Sequence, residues 1–405
     1  METMQWHACR KSPVFVANLD ARKCFDRIWH AGLFARLRNL LSPASWLLLV
    51  RWYATLQGHV VFDGVRSSPV ALLRGTRQGA ILSPALVNVF LAPLVAELDT
   101  LGLGARLHGC HVPAVCYADD FLLLATNSGR LQKMLNVVAK FAKVWRLDFI
   151  NRADPSRTKS HCIVLLQELF VNVPRWMLCG QLLLTKSTSE HLGITLDSHL
   201  SGSSHVAARV KKARGALFGL APTGIFSSSL SPTAKAFLWR AVVTPSLLYG
   251  CEVAPLRVAD VERLETCHAS CLKAALRLSQ TAHHFQLLRA LRVSRIQDCL
   301  RSSMLRTLAS ACRSDSRLRS VILRGLANVV LQPSELRGSF LGQVTGLCNG
   351  SIGTLLAVCG GSPVSHLSST PRADCGVVDS LRTAFDYPEP LRSSVIFSLC
   401  FGSFI

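Results

Sequence analysis

Apolar residues along the chain follow two spacings, one typical of buried strands and one typical of helices. Residues 14–19 form a short apolar and β-branched run, which predicts a buried strand that ends before Asp20. From Arg22 onwards the apolar positions recur every three or four residues, which predicts a helix: Phe25, Ile28, Trp29, Leu33 and Leu37. Asp20 therefore follows a predicted strand, where functional groups of α/β sites commonly collect. Capping of the following helix is an equally simple explanation of Asp20.

The next segment predicts a tight turn followed by a long buried helix. Gly75 and Gly79 bracket Gln78, so the backbone there can bend sharply or approach a ligand closely. Ser83 and Pro84 form a helix-start signal, in which a capping hydroxyl precedes proline at the first helical position. Residues 80–98 are largely apolar, but two prolines, an asparagine and a glutamate among them predict a core helix and not a membrane span.

A third segment places two acidic residues inside an apolar stretch. Residues 112–126, VPAVCYADDFLLLAT, predict a hairpin with Asp119 and Asp120 at or beside its turn. Burying one unpaired carboxylate costs on the order of several kcal/mol, so a turn that exposes the pair, a bound cation, or both must compensate. If the hairpin lies beside the strand that ends before Asp20, three carboxylates converge as ligands for two divalent cations. Oxygen ligands favour magnesium over zinc.

Later polar segments are weaker signals on their own. Lys159 lies in a polar loop before a predicted strand at 162–166, and a loop lysine is usually a solvated surface group. His191, Leu192 and Gly193 predict a turn between short strands. A predicted helix then carries four basic residues: Arg209, Lys211, Lys212 and Arg214. Their charge suits a nucleic-acid backbone, and a merely solvated helix face is the alternative.

Composition narrows the class of protein. The 405 residues can form two or three domains, and the net charge of +21 without a solid basic block fits a polyanionic partner such as nucleic acid. A basic ribosome-associated or mitochondrial protein is the alternative. The 15 cysteines are scattered and lack CxxC spacing, which predicts reduced, intracellular core residues. Cys267 and Cys271 flank His268, but this group has no second half, so no zinc site is predicted.

The order of these segments resembles that of the reverse transcriptases of non-LTR (LINE-type) retrotransposons. The matching motifs are DARKCFD at 20–26, GTRQGAILSP at 75–84, YADD at 117–120, an asparagine at 151 separated by seven residues from Lys-Ser at 159–160, and HLG at 191–193. Residues 239–253 and 261–278 are similar to the thumb of the family and the segment beyond it. The resemblance covers roughly residues 13–310.

The resemblance implies a role for each matching residue. Asp20, Asp119 and Asp120 would bind two Mg²⁺ ions, with Mn²⁺ as a substitute, and Lys159 would lie near the triphosphate as a charge or proton donor. Phe25 would lie under the incoming sugar and reject a ribose 2′-hydroxyl. The remaining assignments are Gln78 and Gly79 to the nascent base pair and template, Leu192 and Gly193 to the primer grip, and Arg209, Lys211, Lys212 and Arg214 to the nucleic-acid backbone.

The resemblance also implies an α+β fold, namely a right-hand polymerase palm with a mainly antiparallel sheet and helices, followed by a helical thumb. The expected divisions are a partial palm at 1–165, primer-grip strands at 166–200, a thumb at 201–295, and a helical then Gly/Ser-rich region without an assigned role at 296–405. Only 19 residues precede Asp20, so we expect most of the fingers to be missing and catalysis by this chain to be impaired.

The implied activity is that of an RNA-directed DNA polymerase, which transfers nucleotides to a primer 3′ hydroxyl by two-metal chemistry. The implied partners are an RNA template, a DNA primer and deoxynucleoside triphosphates, with no membrane. The expected location is intracellular, in the nucleus or with a cytoplasmic ribonucleoprotein. Two alternatives stay open: a catalytically silent nucleic-acid-binding remnant, and a relative of mobile-intron or telomere reverse transcriptases. The sequence predicts no oligomeric state.

Overall fold

The fold mixes α-helices with antiparallel sheets, as predicted. The computed structural model describes residues 1–77, 79–150, 158–166, 172–313, 319, 321–326 and 339–347. Its labelled helices are α1 (Glu2–Cys9), α2 (Cys24–Arg27), α3 (His30–Leu37), α4 (Pro43–Ala54), α5 (Ser83–Thr100), α6 (Ser128–Trp145), α7 (Ser203–Gly219), α8 (Pro232–Leu238), α9 (Thr244–Leu248), α10 (Val258–Ala275), α11 (His284–Leu291), α12 (Ile296–Arg313) and α13 (Phe340–Leu347). A 3₁₀ turn spans Ala221–Thr223, a π-helical turn spans Trp239–Val243, and residues 321–326 are also helical.

The strands form one central sheet and several small hairpins. They are β1 (Val14–Asp20), β2 (Gln57–Gly58), β3 (Val61–Phe62), β4 (Val65–Arg66), β5 (Val70–Ala71), β6 (Ala105–Leu107), β7 (Cys110–Val112), β8 (Ala114–Tyr117), β9 (Asp120–Ala125), β10 (His161–Leu165), β11 (Trp176–Leu178), β12 (Gln181–Leu183), β13 (Thr188–His191) and β14 (Ile194–Asp197). The central sheet has the order β10-β1-β9-β8, and each neighbouring pair in it is antiparallel.

Both faces of β1 are buried, which explains its nearly continuous apolar sequence. Phe15, Ala17 and Leu19 point into a large core that the sheet shares with α5 and α6. Val14 and Val16 point to the opposite face, into a smaller core that includes residues of α1 and β14. Side chains of a strand alternate between its two faces, so burial on both sides requires apolar residues at successive positions.

Helix α5 flanks the large core and corresponds to the apolar segment that the sequence predicts to be a buried helix. The α5 side chains of Leu86, Phe90 and Leu94 are buried in the core beside the sheet. In the described part of the chain, no helix combines the length and apolar character that crossing a bilayer requires. The predicted core helix at residues 80–98 is therefore confirmed from Ser83 onwards.

The helix predicted from Arg22 onwards is wrong as a continuous element. The chain forms the short α2, leaves the helical conformation at Ile28, and resumes a helix at His30. The break arises because this backbone pairs with a distant loop: Gly75 N donates to the Ile28 carbonyl at 2.9 Å, and Trp29 bridges to Arg74. A long-range backbone contact has overridden the local helical spacing.

Helices α7 to α11 share a second core, distinct from that of the sheet. Its fully buried members include Val206, Trp239, Leu264 and Leu272. Two small hairpins, β11–β12 and β13–β14, lie in sequence between the sheet and these helices. The change from sheet to hairpins to helices follows the predicted order of elements along the chain.

The first and last described helices are joined. Gln5 Oε1 accepts from Phe340 N at 2.8 Å, while Gln5 Nε2 donates to the Val253 carbonyl at 2.9 Å. A third apolar cluster combines residues of α12 and α13 with Trp6 and Cys9. The region 296–405 begins with the helix α12, and residues 348–405 lie outside the described part of the chain.

Candidate active site

The predicted acidic hairpin is present. Strands β8 and β9 pair antiparallel with Tyr117 opposite Asp120, which leaves Ala118 and Asp119 as a two-residue loop. Ala118 has a φ of 51°, in the left-handed region that tight two-residue loops require. Asp119 therefore lies at the tip of the hairpin, and Asp120 opens the strand that returns into the core.

The central sheet brings Asp20 to this hairpin tip. Asp20 is the last residue of β1, and the strand register places it directly opposite Asp120 on β9. Side chains at opposed positions of an antiparallel pair share one face of the sheet, with Cβ atoms about 4.5–5.5 Å apart. The next residue holds the third one close, because Ala21 N donates to the Asp119 carbonyl at 3.2 Å. The fold thus gathers the three acidic residues, and their role as metal ligands stays a prediction.

Burial and neighbouring negative charge raise the pKa values of Asp119 and Asp120. The pKa of Asp119 is raised mainly by burial and also by the charge of Asp20, against a lowering contribution from its own backbone N–H. The pKa of Asp120 is raised by burial first and then by Asp119 and Asp20. Lys159 opposes both shifts, and its Nζ lies 3.5 Å from Asp20 Oδ1. The Lys159 side chain is 78% exposed, so solvent screens its charge and the cluster stays attractive to cations.

The donor atoms of this cluster fit a hard divalent cation. The three side chains offer carboxylate oxygens, the ligands that Mg²⁺ and Mn²⁺ prefer. The Cys24 thiol does not compete, because burial and the charges of Asp119 and Asp20 raise its pKa to about 12. A divalent cation bound between the carboxylates would remove the repulsion that raises their pKa values.

A buried serine holds the backbone of Asp20, and sequence reasoning missed it. Asp20 N donates to Ser160 Oγ at 3.1 Å, and Ser160 Oγ donates to the Phe149 carbonyl at 2.7 Å. Ser160 follows Lys159 directly, so one short segment supplies both the ion pair and the backbone anchor. The adjacent Lys-Ser pair was the available signal.

A second polar group ties β13 to the central sheet. Asn18 Nδ2 donates to Ser189 Oγ at 3.0 Å and to the Glu190 carbonyl at 2.9 Å. His161 Nε2 lies 2.8 Å from the same Ser189 hydroxyl. The sequence signal was a single asparagine inside an apolar strand, because a buried amide must find partners.

The glycine-bracketed loop docks on the segment after Asp20. Thr76 N donates to the Phe25 carbonyl at 2.7 Å. Gly75 has a φ of 87°, and a Cβ there would lie 2.9 Å from the Asp26 Cα. Phe25 is half-buried against the large core, and its position is set by this contact.

The part of the loop around Gly79 has open space beside it. Gly79 has a φ of 80°, and a Cβ there would meet no described atom within 4 Å. The predicted cap at Ser83 is wrong by one position, because α5 begins at Ser83 itself and its N-cap is Leu82. The Ser83 hydroxyl instead donates to the Arg77 carbonyl at 2.5 Å and closes the loop. Gln78 and the motif asparagine at 151 lie outside the described residues.

Comparison with known proteins relates this part of the chain to one family. Residues 2–152 match the family described as reverse transcriptase (RNA-dependent DNA polymerase). The chain is similar to reverse transcriptases, and the relatives it matches include retrotransposon proteins. It is 28% identical over 249 residues to the RNA-directed DNA polymerase from mobile element jockey of Drosophila melanogaster. That alignment covers 58% of this chain and 25% of the relative.

Other relatives are also retrotransposon proteins. The chain is 31% identical over 133 residues to the Pol polyprotein of the type-2 retrotransposable element R2DM of Drosophila melanogaster, covering 32% of this chain and 12% of that protein. The chain thus spans about a quarter of the length of the first curated relatives it matches. Among solved structures, apo telomerase from Candida tropicalis aligns over 94% of this chain and 55% of its own, with a TM-score of 0.38 and 11% identity.

The turn predicted at Leu192 and Gly193 packs against a tyrosine that sequence reasoning missed. Leu192 and Gly193 form the turn between β13 and β14, as predicted. Tyr249 Oη donates to the Leu192 carbonyl at 2.8 Å, and a Cβ on Gly193 would lie 3.1 Å from Tyr249 Cε1. Tyr249 directly follows α9, so this contact fixes the turn against the helical region.

The basic helix α7 is only partly as expected. Lys211, Lys212 and Arg214 are exposed on α7, and Lys212 Nζ lies 3.5 Å from Glu190 Oε1. Arg209 is 5% exposed, and its guanidinium carbon lies 5.2 Å from the centre of the Tyr249 ring. The assignment of Arg209 to an open nucleic-acid surface is therefore wrong, because α7 buries this position against Tyr249. Its cation–π contact gives it a structural role.

The two loop glycines provide a matched test of the docking contact. Both have a positive φ, so alanine at either position costs about 1–2 kcal/mol of backbone strain. Only at Gly75 does the added methyl group also collide with backbone atoms, which adds about 1–3 kcal/mol. We predict that Gly75→Ala lowers the free energy of unfolding by roughly 2–5 kcal/mol and Gly79→Ala by about 1–2 kcal/mol. Equal losses in urea denaturation would show that Gly75 does not dock on the segment after Asp20.

Proposed function

We propose that this chain is the polymerase part of a retrotransposon reverse transcriptase, which adds deoxynucleotides to a primer 3′ hydroxyl on an RNA template. The observation that carries the proposal is the pairing of Asp20 with Asp120 beside the Asp119 tip. The match of residues 2–152 to the reverse transcriptase family supports it. The named relatives jockey and BS are RNA-directed DNA polymerases, so the same activity is proposed for this chain.

Asp20, Asp119 and Asp120 would hold two Mg²⁺ ions, and Mn²⁺ would substitute. When bound, such a pair stabilises the attacking and leaving oxygens of an in-line phosphoryl transfer. The contribution of the protein is to hold three like charges together before any ion arrives. Backbone pairing of β1 with β9 and the Asp20–Ser160 hydrogen bond provide that preorganisation.

Lys159 would carry positive charge to the triphosphate. Its Nζ is already at the edge of the cluster, 3.5 Å from Asp20 Oδ1, and its side chain is 78% exposed. An exposed ammonium is free to exchange an aspartate partner for a phosphate oxygen, with little desolvation cost. There it would donate charge or a proton to the leaving group.

The loop that docks on Phe25 would form the nucleotide-facing wall. Phe25 would lie under the incoming sugar and exclude a 2′-hydroxyl. The hydrogen bond from Thr76 N and the close approach of Gly75 would keep the Phe25 backbone in place for that role. Gly79, with open space around its Cα, would lie beside the nascent base pair together with Gln78.

The central sheet and its helices would be the palm, the small hairpins the primer grip, and α7 to α11 the thumb. Lys211, Lys212 and Arg214 are exposed on α7, where they would contact the backbone of a primer–template duplex. The net charge of +21 supports nucleic-acid partners, because each phosphate neutralised releases counterions. Binding that weakens steeply with rising salt is the expected signature.

The carboxylate cluster can be tested by one isosteric substitution. We predict that Asp119→Asn lowers Mg²⁺-dependent extension of a DNA primer on an RNA template at least about 100-fold, because a charged ligand is lost where charge develops. Binding of the primer–template, measured by fluorescence anisotropy, should be retained. Asp63→Asn is the matched control, since Asp63 is exposed with a φ of 47° that asparagine tolerates, and its activity should be unchanged.

Two outcomes would count against the proposal. Full extension by the Asp119→Asn variant would show that the cluster is not the catalytic site. Tight, salt-sensitive nucleic-acid binding without any extension by the unsubstituted chain would favour the silent nucleic-acid-binding remnant.

Sugar selection gives an independent test of Phe25. We predict that Phe25→Ala raises ribonucleotide incorporation relative to deoxynucleotide incorporation on the order of tenfold or more, because a 2′-hydroxyl then finds space. Phe34→Ala is the control, because Phe34 is likewise half-buried against the same core but lies on α3. If both variants lose stability and neither changes the nucleotide ratio, Phe25 is only a packing residue.

A further inference from the structure

Two histidines and a glutamate meet in the helical region, far along the chain from the aspartate cluster. Glu265 and His268 lie on α10, and His284 is the first residue of α11. One donor atom from each, a carboxylate oxygen or a ring nitrogen, lies within 4.8 Å of the other two. The sequence alone showed only His268 between Cys267 and Cys271, without a second half. The fold brings His284 next to His268 and so adds a second imidazole to the group.

Both imidazoles have polar atoms that the described structure leaves without hydrogen bonds. His268 is 0% exposed, and neither of its ring nitrogens has a hydrogen-bond partner among the described residues. The ring nitrogens of His284 are also buried, and apart from Glu265 Oε1 at 3.5 Å from Nε2 they have no polar partner among the described residues. Buried polar atoms almost always find partners, so two such rings side by side indicate a missing ligand.

Glu265 is oriented toward the histidines by the protein. Its Oε2 accepts from Ile296 N at 3.0 Å, at the start of α12. Its Oε1 lies 3.5 Å from His284 Nε2. A carboxylate with one oxygen hydrogen-bonded and the other turned to two imidazoles has the outer-shell support typical of metal ligands.

We propose that Glu265, His268 and His284 bind one zinc-type divalent cation that joins α10, α11 and the start of α12. Two imidazole nitrogens and one carboxylate oxygen form a ligand set that suits Zn²⁺ and excludes a preference for Mg²⁺. The side chains of His284 and Glu265 are 20% and 26% exposed, which leaves a path for the ion and room for water as a fourth ligand.

Neighbouring positive charges are engaged elsewhere. Lys273 Nζ donates to the Gln280 carbonyl at 2.7 Å, and the Arg295 guanidinium carbon lies 4.0 Å from the centre of the Phe285 ring. The two thiols beside His268 form their own contact, with Cys267 Sγ and Cys271 Sγ 3.9 Å apart. They are not among the three groups that converge, so the ion is assigned to the histidines and the glutamate.

Zinc titration of the chelator-treated full chain tests the site. Excess Mg²⁺ keeps the aspartate cluster occupied, and Zn²⁺ is then added while thermal unfolding and bound metal are measured. We expect one tightly bound Zn²⁺ per chain and a rise of a few degrees in the melting temperature, since a ligand that binds only the folded state stabilises it. Co²⁺ in place of Zn²⁺ should give visible absorption bands from nitrogen and oxygen ligation.

Variants separate the proposed ligands from their neighbours. His284→Ala and Glu265→Gln should each weaken Zn²⁺ binding at least about tenfold. Glu265→Gln keeps an oxygen acceptor for Ile296 N, so it preserves the fold if His284→Ala does not. His283→Ala is the matched control, because His283 is exposed and adjacent in sequence, and it should bind Zn²⁺ normally.

The result that overturns the proposal is equally specific. Equal Zn²⁺ affinity in the His283→Ala, His284→Ala and Glu265→Gln variants would do so, as would the lack of a tightly bound ion in the unsubstituted chain. Loss of Zn²⁺ in a Cys267→Ser, Cys271→Ser double variant, with normal binding by His284→Ala, would assign the ion to the thiols and refute the site.

Discussion

The register of β1 against β9 is the constraint on which the active-site geometry depends. It sets Asp20 opposite Asp120, and the hairpin loop then adds Asp119. A slip of one residue would reverse the face of every side chain on β1. Burial on both faces, with Phe15 and Leu19 in one core and Val16 in the other, opposes such a slip, because a different set of side chains would meet each core. The packing of β1 against these two cores therefore fixes the position of the carboxylates.

Holding like charges together is unfavourable, and the surrounding hydrogen bonds offset that cost. The backbone of Asp20 is held by Ser160, and Ala21 holds the Asp119 carbonyl. These bonds act on the backbone and leave the carboxylate oxygens available. The pKa values of Asp119 and Asp120 are raised by burial first and by neighbouring aspartates second, and a divalent cation would offset both effects. The zinc-type site proposed near His268 follows a related logic, with unpaired imidazoles in place of crowded carboxylates.

Sequence reasoning succeeded where local pattern and buried strands decide the structure. It predicted β1, the acidic hairpin, the turn at Leu192 and Gly193, and the α+β class. It failed where contacts between distant segments decide. The helix break at Ile28 comes from pairing with the loop at Gly75, and Arg209 packs against Tyr249, which directly follows α9. The approach of His284 to His268 has the same origin, since nothing in either local segment indicates the other.

The most direct test of the central proposal is the location of metal by anomalous X-ray scattering from crystals of the chain soaked in Mn²⁺. Manganese substitutes for magnesium at carboxylate sites and scatters anomalously, so its position needs no inference from activity. We predict anomalous density among Asp20, Asp119 and Asp120, and its loss in the Asp119→Asn variant. A fully ordered cluster without manganese at saturating concentration, or with the Asp20 carboxylate turned away from Asp120, would contradict the proposed metal site.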